Sequence, residues 1–218
     1  MKKMILLVLL LALLTTGINA IGLMQYEQTI IQDNVRASCA ASSILVVYSE
    51  IFGTPLDPSL EQYVHERVYT PGLGAMATDM FNFLQTHWQM AGRVKIITYK
   101  QYNFDAVTAE LKPIYEAVFT QEEARLFELQ KKYQKEVKIY DGAPNIEKFV
   151  DYILTTPAAK SINLIVVNNQ ILHWVLIRGI DGFIAVMDPL TGENTLYTPD
   201  QYVKEFKLVT TGISIEVL

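Results

Sequence analysis

The sequence holds few of the residues that build disulfides or metal centres. Its 218 residues include one cysteine, Cys39, and three histidines, His65, His87 and His173. A lone cysteine excludes an internal disulfide and leaves a thiol that either pairs between chains or stays free. No cysteine or histidine spacing suits zinc, so no metal and no cofactor is expected. Charge of one sign is also missing: 18 basic residues face 23 acidic ones, for a net charge of -5. That balance argues against a nucleic-acid partner and against a polybasic membrane footprint. There is no low-complexity tract and no internal repeat. What is present is apolar material, 50% of the chain, enough to bury the core of a single domain.

The first twenty residues stand apart. Lys2 and Lys3 precede an unbroken apolar run, Met4–Leu14, which is shorter than a membrane span requires. Ile18-Asn19-Ala20 then suits a signal-peptidase site. Residues 1–20 are therefore expected to be a secretory signal, leaving 21–218 as the mature, periplasmic or secreted protein with no later apolar run long enough to span. Export places the thiol in an oxidising compartment. A buried small hydrophobe is the bland account of such a cysteine.

The pattern along the chain predicts helices first and a sheet afterwards, an α+β arrangement. Ser38 suits an N-cap, and Ala40–Phe52, closed by Gly53, reads as a helix apolar nearly all round and hence buried. Further helices are expected over Ser59–Tyr69, Ala75–Met90 and Asn145–Leu154, with a strand over Arg93–Tyr99. Asn103–Tyr140 has a different texture, rich in acidic and basic pairs at helical spacing. It is expected to be a mostly solvated helical hairpin lying on the domain, over the cleft or against a partner. In the last third, "SINLIVV", "ILHWVLIRGI" and "FIAVMDP" read as antiparallel strands. Asp181-Gly182 is a two-residue hairpin turn between the last two. Thr198-Pro199-Asp200 opens a final helix, and Gly212–Leu218 reads as a closing strand.

A cysteine in the first turn of a buried helix meets unpaired N–H groups and the positive end of the helix dipole, which favour the nucleophilic thiolate. A thiolate nucleophile needs a histidine to share its proton. His65 sits in a charged helical stretch, and His87 lies near a helix end, where it caps the helix or packs beside Trp88. His173 stands inside an apolar strand, where a polar ring calls for a reason. If Asp181-Gly182 closes a plain hairpin, Asp188 falls opposite Val175, which shares a face with His173. Asp188 is then the diagonal neighbour of His173 and in reach of it. A carboxylate there holds an imidazole in one tautomer and orientation, the third role of a catalytic triad. Asp188 also has a plainer place as the turn residue of "DPLTG".

The order Cys, His, Asp, with a helix before a sheet, resembles the papain-like cysteine peptidases. More narrowly it is similar to the bacteriocin-processing, double-glycine-leader peptidase domains and their exported single-domain relatives. The resemblance is carried by "QDNVRASCAASS", "LHWVLIRGIDGFIAVMDPLTG" and "YTPDQYVKEF", with "PGLGAMATDM" matching the family's second segment. It departs at Ser38 and Ala40, where Asp or Gly is common, and in Asn103–Tyr140, which reads as an insertion. The family implies a papain-like fold, its central buried helix carrying Cys39 and packed on a C-terminal antiparallel sheet. It implies that Gln32 donates to the oxyanion beside the Cys39 N–H. It also implies a peptide or protein substrate, cleaved by Cys39 with His173 as base and Asp188 as its orienting partner. The same residues serve an acyl or amide transferase, and the same cleft serves a non-catalytic peptide-binding module.

Overall fold

The computed structural model describes residues 38–57, 59–71, 74–88, 90–102, 104, 107–156, 160–167, 171–206 and 210–218. The expected signal segment, 1–20, and Gln32 lie outside the described residues. Helix α1, Cys39–Phe52, is the centre of the molecule. Ala40, Ala41, Ser42, Ser43, Ile44, Leu45, Val46 and Val47 are all buried, so beyond the half-buried Cys39 this helix has no wet side over its first two turns. Gly53 ends it with φ 61°, a left-handed conformation open to glycine at low cost. Ser38 does occupy the N-cap position, but its side chain makes no capping hydrogen bond. Its carbonyl instead accepts from the Ser42 amide and from Ser42 Oγ, both at 3.0 Å.

Helix α2, Ser59–Val68, leads into a two-stranded ribbon of β1, Tyr69–Thr70, and β2, Gly74–Ala75. Helix α3, Ala77–His87, follows, then β3, Val94–Tyr99. Next come α4, Lys112–Lys132, β4, Val137–Tyr140, and α5, Ile146–Thr155. The C-terminal part supplies β5, Lys160–Val167, β6, Ile171–Ile180, β7, Phe183–Asp188, and β8, Glu193–Tyr197. Helix α6, Pro199–Phe206, and β9, Thr210–Val217, complete the chain. The large sheet has seven strands in the order β4-β3-β9-β5-β6-β7-β8. The architecture is α+β, as the pattern predicted.

Two expectations need correction. The sheet is mixed and is not confined to the C-terminal part: β3 pairs antiparallel with β9 and parallel with β4. Nor do the described residues of Asn103–Tyr140 form a helical hairpin, although most of them are at least partly exposed, as expected. They form one 21-residue helix followed by an edge strand, the crossover that any parallel strand pair requires. Val118, Phe119 and Leu126 of α4 enter the main core, and Phe104 and Val107 are buried ahead of it. Most of the charges that suggested solvation lie on the outer face of α4, Glu122 being the buried exception, and an inner stripe of few residues is easily lost among them.

Helices cover both faces of the sheet. One apolar cluster joins α1, α3 and α4 to Val94, Ile96, Trp174, Leu176, Met187 and Ile215. A second, across the sheet, joins Val150 and Ile153 of α5 and Tyr202 and Phe206 of α6 to Val175, Ile177, Ile184 and Val186. The alternation Trp174/Val175/Leu176/Ile177 between the two clusters is the period of two that a strand buried on both faces requires. Gly179 lets α5 approach closely: a Cβ there would lie 2.5 Å from the Ile153 carbonyl oxygen. Among the described residues, no helix is long and apolar enough to cross a membrane.

Helix α3 is held by a side chain from another helix. Glu122 of α4, 1% exposed, accepts from the Thr78 amide at 2.8 Å with Oε1 and from Thr78 Oγ1 at 2.8 Å with Oε2. Thr78 lies in the first turn of α3, whose N-cap residue Met76 offers no capping side chain, so the distant carboxylate supplies the cap. Arg125 bridges Glu122 to Asp79, and Thr70 Oγ1 donates to Asp79 at 3.0 Å. Burial pushes the Glu122 carboxyl up to about 7, against the lowering effect of the Thr78 amide and hydroxyl and of Arg125.

Candidate active site

The Asp181-Gly182 turn sets the geometry of the site. Both residues have positive φ, 48° and 82°, the backbone that two-residue hairpins with right-handed strand twist favour. Ile180 pairs with Phe183, and the ladder runs without a bulge to Leu176 opposite Met187. This is the register expected from the turn. Continued by one step it sets Asp188 across from Val175, diagonal to His173. The His173 Nε2 and Asp188 Oδ1 atoms lie 2.6 Å apart.

Asp188 is held from its own turn as well. Its Oδ1 accepts from the Leu190 amide at 2.8 Å, and the Thr191 amide also bonds to the carboxylate. Its backbone carbonyl accepts from the Gly192 amide at 3.0 Å. Turn chemistry and histidine orientation are therefore one arrangement in "DPLTG": the turn amides fix the carboxylate that meets the ring.

Cys39 reaches the same ring from the first turn of α1. Its sulfur and His173 interact by a hydrogen bond and by charge. With Nε2 taken by Asp188, Nδ1 is the ring nitrogen left for the thiol. Cys39 is half-buried and free, His173 is 4% exposed, and the Asp188 side chain is 24% exposed. The three groups come from α1, β6 and the end of β7, 134 and 15 residues apart in sequence, into one contiguous set.

Burial, the largest single influence on His173, disfavours its charged form. Hydrogen bonds to Asp188 and Cys39 and the negative charge of both outweigh it, and the ring is pushed up to about 9. Burial likewise opposes ionisation of Asp188, but the His173 contact and the Leu190 and Thr191 amides hold its carboxyl below the ordinary value of 3.8. The directions agree. An imidazolium beside the Asp188 carboxylate is stabilised, and so is that carboxylate. At neutral pH the arrangement keeps a proton on the ring beside a sulfur nucleophile, and Nε2–H points at the carboxylate.

The other two histidines lie elsewhere. His65 of α2 is half-buried and stacks on Tyr69, ring centroids 4.8 Å apart. His87, exposed at the end of α3, stacks on Phe83 at 4.9 Å and bonds Thr86 Oγ1 through Nδ1 at 2.7 Å. It is Phe83, rather than Trp88, that His87 packs against. Trp88 meets Tyr48 and Phe83 instead.

Two supporting contacts escaped the sequence reading. Trp174, next to His173, donates its indole N–H to the Ala75 carbonyl at 2.9 Å, tying β6 to the β2–α3 junction. A tryptophan in a strand buried on both faces was the available signal, since a buried indole N–H must find an acceptor. Arg178 of β6 forms an ion pair with Glu50 of α1. No local pattern announces a pair separated by 128 residues. Among the described residues, no group of three or more histidine, cysteine, aspartate or glutamate side chains is placed to hold a metal ion. No family model and no curated protein matches the chain, which leaves the meeting of Cys39, His173 and Asp188 as the observation that bears on function.

Proposed function

We propose that the protein is an exported cysteine peptidase of papain-like fold, cleaving a peptide or amide bond with a Cys39–His173–Asp188 triad. One observation carries the reading: a free thiol at a helix start, a buried imidazole and a carboxylate 2.6 Å from that ring's far nitrogen converge from three separate elements. The His173 ring takes the thiol proton, and the Cys39 sulfur attacks the carbonyl carbon. As the tetrahedral intermediate collapses, the C–N bond breaks and His173 gives the proton to the leaving amine. Water, deprotonated by the same ring, then hydrolyses the thioester, releasing the carboxylate and restoring the thiol. Asp188 holds the ring in one orientation and stabilises its charged form through both steps. The Cys39 amide, in the first turn of α1, is one oxyanion donor, and the family resemblance assigns the other to Gln32, which lies outside the described residues.

The test is incubation with a peptidyl electrophile that forms a stable thioether, followed by intact-mass measurement, alongside turnover of a mixed peptide substrate. The native protein is expected to gain one adduct, located at Cys39, and to release new peptide termini. Cys39→Ala should do neither. Loss of Gln32 in Gln32→Ala should cost about 3 kcal/mol of transition-state stabilisation, the typical effect of one oxyanion donor. Peptide turnover that persists in Cys39→Ala would refute the reading.

A further inference from the structure

Among the described residues, helix α1 and strand β6 make polar contacts at two places, and the order of those contacts fixes how the two lie. Cys39, at the start of α1, meets His173 near the start of β6. Glu50, near the end of α1, meets Arg178 further along β6. The helix and the strand therefore run in the same direction. Glu50 follows Cys39 by 11 residues, and Arg178 follows His173 by five. At about 1.5 Å per helical residue and about 3.3 Å per strand residue, both spans come to roughly 16 Å. The two contacts close a ladder whose rails are equal in length.

Between those rungs the contact is apolar. Ala40, Ala41, Ile44, Leu45 and Val47 of α1 share one cluster with Trp174 and Leu176 of β6. Apolar packing of this kind is non-directional and restrains sliding along the strand weakly. A thiol–imidazole pair is far more demanding, because its hydrogen bond weakens steeply once distance and angle drift. Among the described contacts between these two elements, only the Glu50–Arg178 pair lies at the opposite end from the site and has direction. Its side chains are 19% and 22% exposed, which shields it from solvent better than a surface pair.

We infer that Glu50 and Arg178 are positioning residues that set the axial register of α1 along β6 and thereby hold the Cys39 sulfur at His173. They touch neither the substrate nor the reacting atoms. The inference rests on the reading of Cys39 and His173 as a reacting pair, and it adds a mechanical cause for their alignment from the far end of the helix. A misplacement of about 1 Å at a reacting centre can cost on the order of 100-fold. Loss of the far rung is therefore expected to slow the thiol well beyond its effect on folding.

The test compares the native protein, Glu50→Gln, Arg178→Gln, the conservative pair Glu50→Asp and Arg178→Lys, and the exchanged double variant Glu50→Arg/Arg178→Glu. Each is followed by its thermal midpoint and by its iodoacetamide rate at Cys39 across pH, with His173→Ala as the reference for a thiol without its partner. Both Gln variants should fold and should alkylate on the order of tenfold more slowly at mildly acid pH, approaching the His173→Ala rate. The exchanged variant should recover most of the native rate. Variants that stay folded and alkylate at the native rate, whatever their thermal midpoints, would overturn the inference. So would an exchanged variant no faster than the singles. Should either Gln variant fail to fold, Glu50→Asp and Arg178→Lys decide by the same criterion. Native protein that alkylates no faster than His173→Ala would instead refute the catalytic reading, so the two failures are distinguishable.

Discussion

Glu122 and His173 are both buried, 1% and 4% exposed, and both have acid–base behaviour moved far from the ordinary. Their surroundings differ in one respect. Each Glu122 oxygen meets a donor from Thr78, and Arg125 closes the set onto Asp79. Nothing in that group is nucleophilic, and its carboxylate ends in the first turn of α3, where it satisfies amides that a helix start leaves unpaired. His173 stands between a carboxylate on one nitrogen and a thiol on the other, and that thiol is half-buried rather than sealed. Burial and a displaced pKa are common to both places. A transferable proton beside a nucleophile is found only at the second. The first is a structural cap, and the second is the site proposed for catalysis.

Replacing the thiol or the ring should separate the two most sharply. Cys39→Ala and His173→Ala are each expected to lower turnover by at least about 10⁴-fold in protein that still folds. Glu122→Ala should do the reverse. It strands the Thr78 amide and hydroxyl in the core and should cost about 3 kcal/mol in urea unfolding, with kcat of the folded protein unchanged. Full activity in His173→Ala, or a large kcat loss in Glu122→Ala, would erase the distinction.

Asp188→Asn should fall between these extremes. The amide can still accept from the ring and keep its orientation, but it carries no charge to support the imidazolium. The predicted loss in kcat/KM is about 10- to 100-fold, with the acid limb of the pH–rate profile displaced. A loss as deep as that of His173→Ala would mean that Asp188 does more than orient.

The two regions should also titrate in different windows. Folding raises the Glu122 carboxyl from 4.5 to about 7, so the native chain holds a proton that the unfolded chain has released. Stability therefore falls as pH rises between those values. His173 is raised from 6.5 to about 9, so its contribution is complete below the lower value and is lost on approach to the higher one. Asp188 acts oppositely: its carboxyl is held below 3.8, so its contribution is present above that value and disappears as acidification carries pH through its folded value. Thermal midpoints across pH should show the decline from about 4.5 to 7 vanish in Glu122→Gln and the decline from 6.5 to 9 vanish in His173→Ala. An unchanged profile in either variant would place its titration elsewhere. The smallest effect concerns neither region directly. Gly179→Ala drives a methyl against the Ile153 carbonyl and should cost about 1–3 kcal/mol in stability with no change in Cys39 reactivity.

The difference between the regions also explains what could be read from the sequence. His173 and Asp188 are 15 residues apart and joined by a two-residue turn. A strand's period of two makes register all or none, so the turn alone was enough to bring them together. The buried nature of α1 was visible because its apolar residues occupy every face. The Glu122 cap was hidden, because 44 residues separate Glu122 from Thr78 and its neighbours are charged. The edge strand β4 was absorbed into the charged helical pattern before it. Strand β8, "ENTLY", was not anticipated at all: it is an exposed edge with Leu196 facing solvent, so burial left no alternation to detect. The Glu50–Arg178 pair and the Trp174–Ala75 bond exist only once helix and sheet have packed.

The central claim is that Cys39 is a reacting thiol poised by His173 and not a packing residue. Its most direct test is the rate of iodoacetamide alkylation of the folded protein at about pH 6, where an ordinary thiol with a pKa near 8.5 is almost wholly protonated. The protein should label at Cys39 faster than a model thiol without denaturant, and His173→Ala should label more slowly. Labelling that occurs only after denaturant is added would contradict the account, because it would make Cys39 a buried side chain of the core.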